Sequence, residues 1–300
     1  MMSHVPIRSP LSLSAIHHRP RTLSLLRGAV SVSILILLVS RTSLDDLVAR
    51  AKAGAFVPLT AALLLVLLTA VLVSLRWRTL ARWFGLALPM TLTVRAVFLG
   101  MFGGQLLPST VGTDLVRGWV AARHTGSMRR AAASVIADRL VALFAACLLL
   151  AFTYPSLGQT PAFLAGFLAA AAVLASAVVL LGFLFFNRKG ALLRPAPILA
   201  AVLVAVAIHA IHVIAAAVTA TAYGVDASLK IWLSIIPVSL IACAVPVSIN
   251  GWGVREAVIV GLAAGHGISE ADALVVSLTL GVLNVVASLP GAYLMISNEK

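Results

Sequence analysis

Apolar runs long enough to cross a bilayer recur along the chain, at about 23–40, 56–75, 131–152, 162–186, 197–222 and 272–296. A membrane-spanning helix needs about 20 predominantly apolar residues to cover a hydrocarbon core about 30 Å thick. Six such runs leave little chain for anything else. Composition agrees: hydrophobic residues are 61% and charged residues 10% of 300. Soluble domains run at about 45–50% and about 25%. The fold class is an all-α polytopic membrane protein, and most soluble enzyme folds are excluded.

Two further stretches are apolar but broken. One covers about 91–124, with Pro108 and Gly112 in its middle; the other covers about 231–267, interrupted by Pro246, Gly251 and Gly253. Their flanks fix a topology. Lys and Arg number 22 against 9 acids, a net charge of +13. In a membrane protein such an excess sits on cytoplasmic loops, so no nucleic-acid partner is expected. Arg76, Arg78, Arg82 and Arg95 precede the first broken stretch, and Arg123, Arg129 and Arg130 follow it. Both flanks read as cytoplasmic, so the stretch enters and leaves on one side as a re-entrant hairpin. Irregular backbone at that depth is tolerated only inside protein or beside a water-filled cavity. Residues 1–22 are a basic cytoplasmic tail ahead of an uncleaved first span. The segments 41–55, Tyr154 to Pro161 and Tyr223 to Lys230 read as external loops, and Arg188, Lys189 and Arg194 mark a cytoplasmic one. The acidic segment 266–272 follows the second hairpin and suits the outside, so both termini are expected in the cytoplasm.

The broken stretches resemble each other. LPSTVGTDLVR runs from Leu107 to Arg117, and VPVSINGWGVR from Val245 to Arg255. The offset is 138 residues, both from Pro108 to Pro246 and from Arg117 to Arg255. The same offset carries the first span onto the fourth and the second onto the fifth. The single membrane domain, 23–296, divides into halves at about 23–155 and 156–296, each of three spans and one hairpin. Three crossings per half make the halves inverted, as in many transporters.

A half-helix should start near Gly112 in the first hairpin and near Gly251 in the second. Free backbone N–H groups and the helix dipole make such an end an anion site. Arg117 and Arg255, one turn further on, present planar forks that hold a phosphate by two parallel bonds. Asp114 and Arg117 are three apart, so pairing with each other is the alternative to ligand contact. Arg255 and Glu256 are adjacent and are not expected to face each other. Asp138 and Arg139 start the third span, where reaching to the cytoplasmic surface competes with a functional role. Asn250 caps the second half-helix or binds ligand. If transport is active, Glu256, without a facing cation, is the candidate proton carrier; passive exchange is the alternative. His209 and His212 read as packing residues, and Cys147 and Cys243 as buried thiols. There is no phosphate loop, no nucleophile elbow and no paired catalytic group. Neither an enzyme activity nor a cofactor is expected.

The stretch from Pro108 through Val116-Arg117 to Ser134-Val135-Ile136-Ala137-Asp138-Arg139 resembles the transmembrane region of lysylphosphatidylglycerol synthases. So do Pro246-Val247-Ser248-Ile249-Asn250-Gly251-Trp252-Gly253-Val254-Arg255-Glu256, Asn284 and Ser288-Leu289-Pro290-Gly291. The resemblance implies a flippase-like domain of a bacterial inner membrane. Its expected partners are membrane lipids, such as anionic or aminoacylated phospholipids or related isoprenoid-linked lipids and glycolipids. Full synthases carry a soluble aminoacyl-transfer domain; this sequence ends at Lys300, so translocation without synthesis is expected. The alternative is a non-transporting subunit that scaffolds a lipid- or glycan-modifying enzyme.

Overall fold

A computed structural model describes residues 21–106, 111–153, 173 and 196–297. Among them lie ten helices and no strand: α1 (Arg21–Ser40), α2 (Leu44–Ala53), α3 (Phe56–Trp83), α4 (Met90–Leu106), α5 (Val111–Thr125), α6 (Met128–Thr153), α7 (Ala196–Ala222), α8 (Leu229–Ala244), α9 (Val254–Ala264) and α10 (Glu270–Ser297). The helices α3, α6, α7 and α10 are long and apolar enough to cross a membrane, and α1 with α2 makes a fifth if the bent pair is one span. The run at 162–186 and Pro108 lie outside the described residues.

The centre is α3 against α7. Ala55 N donates to Ala222 O, Val66 meets Ala215, and Leu80 packs with Ala201 and Ala205, so the two helices run antiparallel along their length. The alanines on α7 let the backbones approach closely, which is how helices gain contact where lipid competes for apolar surface. The opposite face of α3 carries Leu64, Leu68, Val71 and Leu75, all exposed and spaced by one turn. An exposed apolar stripe of this kind suits a lipid-facing surface. Buried hydroxyls turn back onto their own helix: Thr69 donates to Val66 O, Ser74 to Ala70 O and Thr219 to Ala215 O.

Both broken stretches are helical hairpins. In the first, Gly104 faces Thr113, Gly103 faces Val116 and Gly100 faces Arg117, the antiparallel order of two packed helices. A Cβ on Gly100 would sit 2.8 Å from Thr113 O, so small residues set this approach. At 1.5 Å per residue the 15-residue α5 is about 22 Å long and the 11-residue α9 about 16 Å. Each falls short of a hydrocarbon core about 30 Å thick.

The helices repeat in order and length: α3, α4, α5 and α6 are followed by α7, α8, α9 and α10. The ends of α4 and α8, Leu106 and Ala244, stand 138 residues apart, the offset of the motif repeat. Packing repeats as well. Where α4 meets α10, α8 meets α6; where α5 meets α6, α9 meets α10; where α3 meets α4, α7 meets α8.

Two expectations are corrected. Residues 44–53, read as part of an external loop, form the short helix α2. Ser43 caps it by accepting from Asp46 N, with Asp45 and Asp46 in the first turn and Arg50 and Lys52 in the last. This charge order complements the helix dipole. Arg50 pairs with Asp46 at 3.1 Å and with Asp272, tying α2 to the start of α10. Second, Arg76, counted with the basic residues that flank the first broken stretch, is not a loop residue. It lies inside α3 and is 5% exposed.

Candidate functional site

Arg76 belongs to a buried ion cluster behind the first hairpin. Its Nε donates to Asp138 Oδ1 at 2.7 Å and its Nη2 to Asp138 Oδ2 at 3.1 Å. Arg117 Nη2 reaches the same Oδ2 at 2.7 Å, and its guanidinium stacks 4.6 Å from the Trp77 ring centroid. Arg117 Nη1 bonds Asp114 Oδ1 at 3.4 Å. Asp114 Oδ2 in turn takes Arg139 Nη1, and Arg139 Nη2 donates to Ala244 O at 2.8 Å. Five charges from α3, α5 and α6 thus close on one another, and the chain of bonds ends on the carbonyl end of α8. Asp138 is 1% exposed, so of the two alternatives for this pair, reaching to the surface does not hold for it: Asp138 is wholly engaged inside the bundle. Arg139 is half-buried and bridges the two hairpins.

The second hairpin is built differently. The half-helix expected at Gly251 starts at Val254, because Asn250, Gly251 and Gly253 all hold positive φ and keep the chain out of the helix. The N-cap is Gly253, so Asn250 is not the cap. Ser31 of α1 braces the break, its Oγ accepting from Ile249 N at 2.9 Å.

At the amino end of α9 the structure overturns the expected geometry of the adjacent pair. Arg255 Nε and Nη2 donate to Glu256 Oε1 at 2.9 and 2.6 Å. Glu256 Oε2 accepts from Gly253 N at 2.6 Å, and Ser277 Oγ donates to Oε1 at 3.2 Å. Neighbours in sequence face each other because Glu256 folds back over the helix end and Arg255 leans along the same end. Glu256 is fully buried. Its carboxylate occupies the anion position that the dipole and the arginine create. The premise for Glu256 as a proton carrier, a carboxylate without a facing cation, does not hold.

Between the hairpins lies a cavity of about 210 Å³. Gln105 of α4 and Thr113 of α5 line it from the first hairpin; Cys243, Asn250 and Arg255 line it from the second. His212 of α7 and Asn284 of α10 close the sides. Of the residues predicted for the site, Asn250 and Arg255 border this cavity. Asp114, Arg117, Asp138 and Arg139 stand in the ion cluster, Gly112 is buried in α5, and Gly251 packs on Cys243. His209 packs, bonding Ala142 O at 2.8 Å, whereas His212 bonds Ile208 O and faces the cavity.

The model of the lysylphosphatidylglycerol synthase TM region matches residues 24–291. The chain belongs to this family. A search of curated proteins gives no match. The family match ties this lysylphosphatidylglycerol synthase-type membrane domain to lipid handling, and its limits enclose both hairpins and every helix from α2 to α9.

Sequence reasoning missed four residues of the site. Arg76 continues the buried stripe of Val66, Thr69 and Leu80 at helical spacing, a signal that the charge count overrode. Gln105 and Ser277 carry no sequence signal, since a lone polar residue in an apolar helix does not reveal what it meets. Gly281 was also missed. A Cβ there would run into Arg255 Nη2 and lie 2.6 Å from Trp252 Cη2. Arg255 itself stacks 4.9 Å from the Trp252 ring. Gly281→Ala is expected to push the guanidinium off Glu256, at about 1–3 kcal/mol of overpacking. Thermal unfolding in detergent checks this; an unchanged midpoint would show that the arginine has room to spare.

Proposed function

We propose that this domain moves lipids between leaflets, with the headgroup passing through the cavity between the hairpins and no chemical step. The polar side chains that line this cavity carry the reading. Polar side chains inside an apolar bundle are costly and mark a ligand or a pathway. Here they converge from both hairpins and two long helices. The two halves are read as inverted repeats of three spans and one re-entrant hairpin each, with the cavity between their hairpins, as alternating-access transporters are built.

Charge supports an orientation. Arg78, Arg82, Arg123, Arg129 and Arg130 collect at the end where α3 finishes and α6 begins. Asp45, Asp46, Asp226, Glu270 and Asp272 collect at the other, where α2, the end of α7 and the start of α10 meet. The positive-inside rule puts the first end in the cytoplasm. In a background with Cys147 and Cys243 replaced by Ala, Ser127→Cys is expected to react with an impermeant maleimide only after the membrane is opened. Glu270→Cys is expected to react in intact cells. The reverse pattern inverts the orientation, and labelling of both from outside breaks the hairpin topology.

The decisive experiment is leaflet exchange of acyl-labelled lipids by the purified protein in liposomes. Exchange above protein-free vesicles is the expected result. Exchange at the protein-free rate for every lipid class rejects the transport reading.

A further inference from the structure

We infer that the cavity selects an uncharged, hydroxyl-rich headgroup, such as the sugar of a glycolipid, over anionic or cationic phospholipid headgroups. The inference rests on the transport reading for the cavity's role, and its binding arm stands apart from it.

The first reason is that charge in the cavity is already balanced. Arg255 is the charged side chain among its described lining residues, and Glu256 holds two of its nitrogens. The backbone donor at the start of α9, which would otherwise receive a phosphate, is held by the same carboxylate. An anionic headgroup must compete with Glu256 for those donors while being repelled by it. A cationic headgroup meets the guanidinium. The second arginine of the motif repeat, Arg117, is consumed by Asp138 and is not among the cavity's lining residues.

The second reason is what the lining offers instead. Gln105, Asn250 and Asn284 bring three carboxamides, and Thr113 a hydroxyl. A carboxamide both donates and accepts, as does a hydroxyl, so the two match each other in pairs. Asn284 spends one N–H on Leu280 O at 2.8 Å, which leaves its second N–H and its carbonyl oxygen for other partners. Arg255, which also lines the cavity, adds a cation whose charge is already met by Glu256. A site of this kind favours hydroxyls because a headgroup that lacks them leaves buried amides unpaired.

The test uses the full chain in two assays. In liposomes, acyl-labelled glucosyl-diacylglycerol, phosphatidylglycerol and lysyl-phosphatidylglycerol are compared at equal density. In detergent, short-chain forms of the same three lipids are titrated and the melting temperature is read. The expected result is glucosyl-lipid exchange about tenfold faster than either charged lipid, with a rise in melting temperature for the glucosyl lipid alone. Gln105→Leu and Asn284→Leu are each expected to weaken that binding about fivefold, the worth of one net hydrogen bond, while their ligand-free melting temperatures bracket that of the unmodified protein. Equal or faster exchange of a charged lipid, or equal thermal shifts, overturns the headgroup inference and leaves transport standing. Thermal selectivity for the glucosyl lipid without exchange of any lipid upholds the inference and rejects transport. Neither exchange nor a thermal shift rejects both.

Discussion

Asp138→Ala is expected to be the most damaging single side-chain removal in the first half of the bundle. Its carboxylate takes three donors, two from Arg76 and one from Arg117, and all three side chains are at most 5% exposed. Without it two guanidiniums face each other in a water-poor interior. Removing one partner of a buried ion pair costs about 3–5 kcal/mol, because the partner left behind remains buried and unpaired. In this case two are left behind. Arg117 has little in reserve: its Nε already lacks a hydrogen-bond partner and its remaining carboxylate contact, Asp114, is long at 3.4 Å. The midpoint of thermal unfolding should fall by about 10 °C or more. Asp138→Asn should fall between this variant and the unmodified protein, since the amide keeps one acceptor and the shape. A double variant, Arg76→Met with Asp138→Ala, should lose less than the sum of the two single changes, because the second removal takes away a charge that the first had stranded. A midpoint for Asp138→Ala within about 2 °C of the unmodified protein would mean that water reaches the cluster and the burial argument fails.

Glu256→Gln is the second large effect, and its sign separates two roles. A proton carrier would tolerate Gln with its fold intact and lose only dependence on the proton gradient. A structural counter-ion would not. Gln keeps one acceptor oxygen where the structure uses two, one facing Arg255 and Ser277 and the other facing Gly253 N. Its NH₂ group must point at one of these donors. The expected loss is about 3–5 kcal/mol, the range for a buried pair with one charge removed. Glu256→Gln should therefore unfold at lower temperature, and exchange by the unmodified protein should proceed without a proton gradient. Glu256→Gln combined with Arg255→Leu should recover part of the stability, since no charge is then stranded. Normal stability of Glu256→Gln with loss of gradient-dependent exchange would restore the carrier role.

The arginines of the motif repeat show how much of the site was legible. The sequence placed both near helix starts and close to a break, and the structure keeps Arg255 beside one. It did not show what each would meet. Arg117 finds Asp138, 21 residues away on α6, and Arg255 finds its own neighbour. Pairing across helices depends on which faces pack, and the 138-residue repeat does not carry the partners along. Position 138 is Asp, while the matching position 276 is Val. The two halves share backbone order and differ in chemistry. Arg76 teaches the same lesson from the other direction. By count it belonged to a basic flank, but α3 runs on to Trp83 and turns Arg76 inward while Arg82 stays exposed.

The sequence by itself determined the class of protein, the two broken stretches and the length of the repeat unit. These follow from quantities local to the chain: the length of an apolar run, a Pro or Gly that interrupts it, and the sign of the charge at its ends. Tertiary structure alone decided the site. Gln105, Asn250 with Arg255, and Asn284 come from three separate segments and share a cavity only because the two hairpins meet against α7 and α10. Whether a buried arginine stands open to a ligand or is already answered depends on a carboxylate's position to within an ångström or two, since a charge-assisted bond needs about 2.7–2.9 Å. No spacing along the chain supplies that distance.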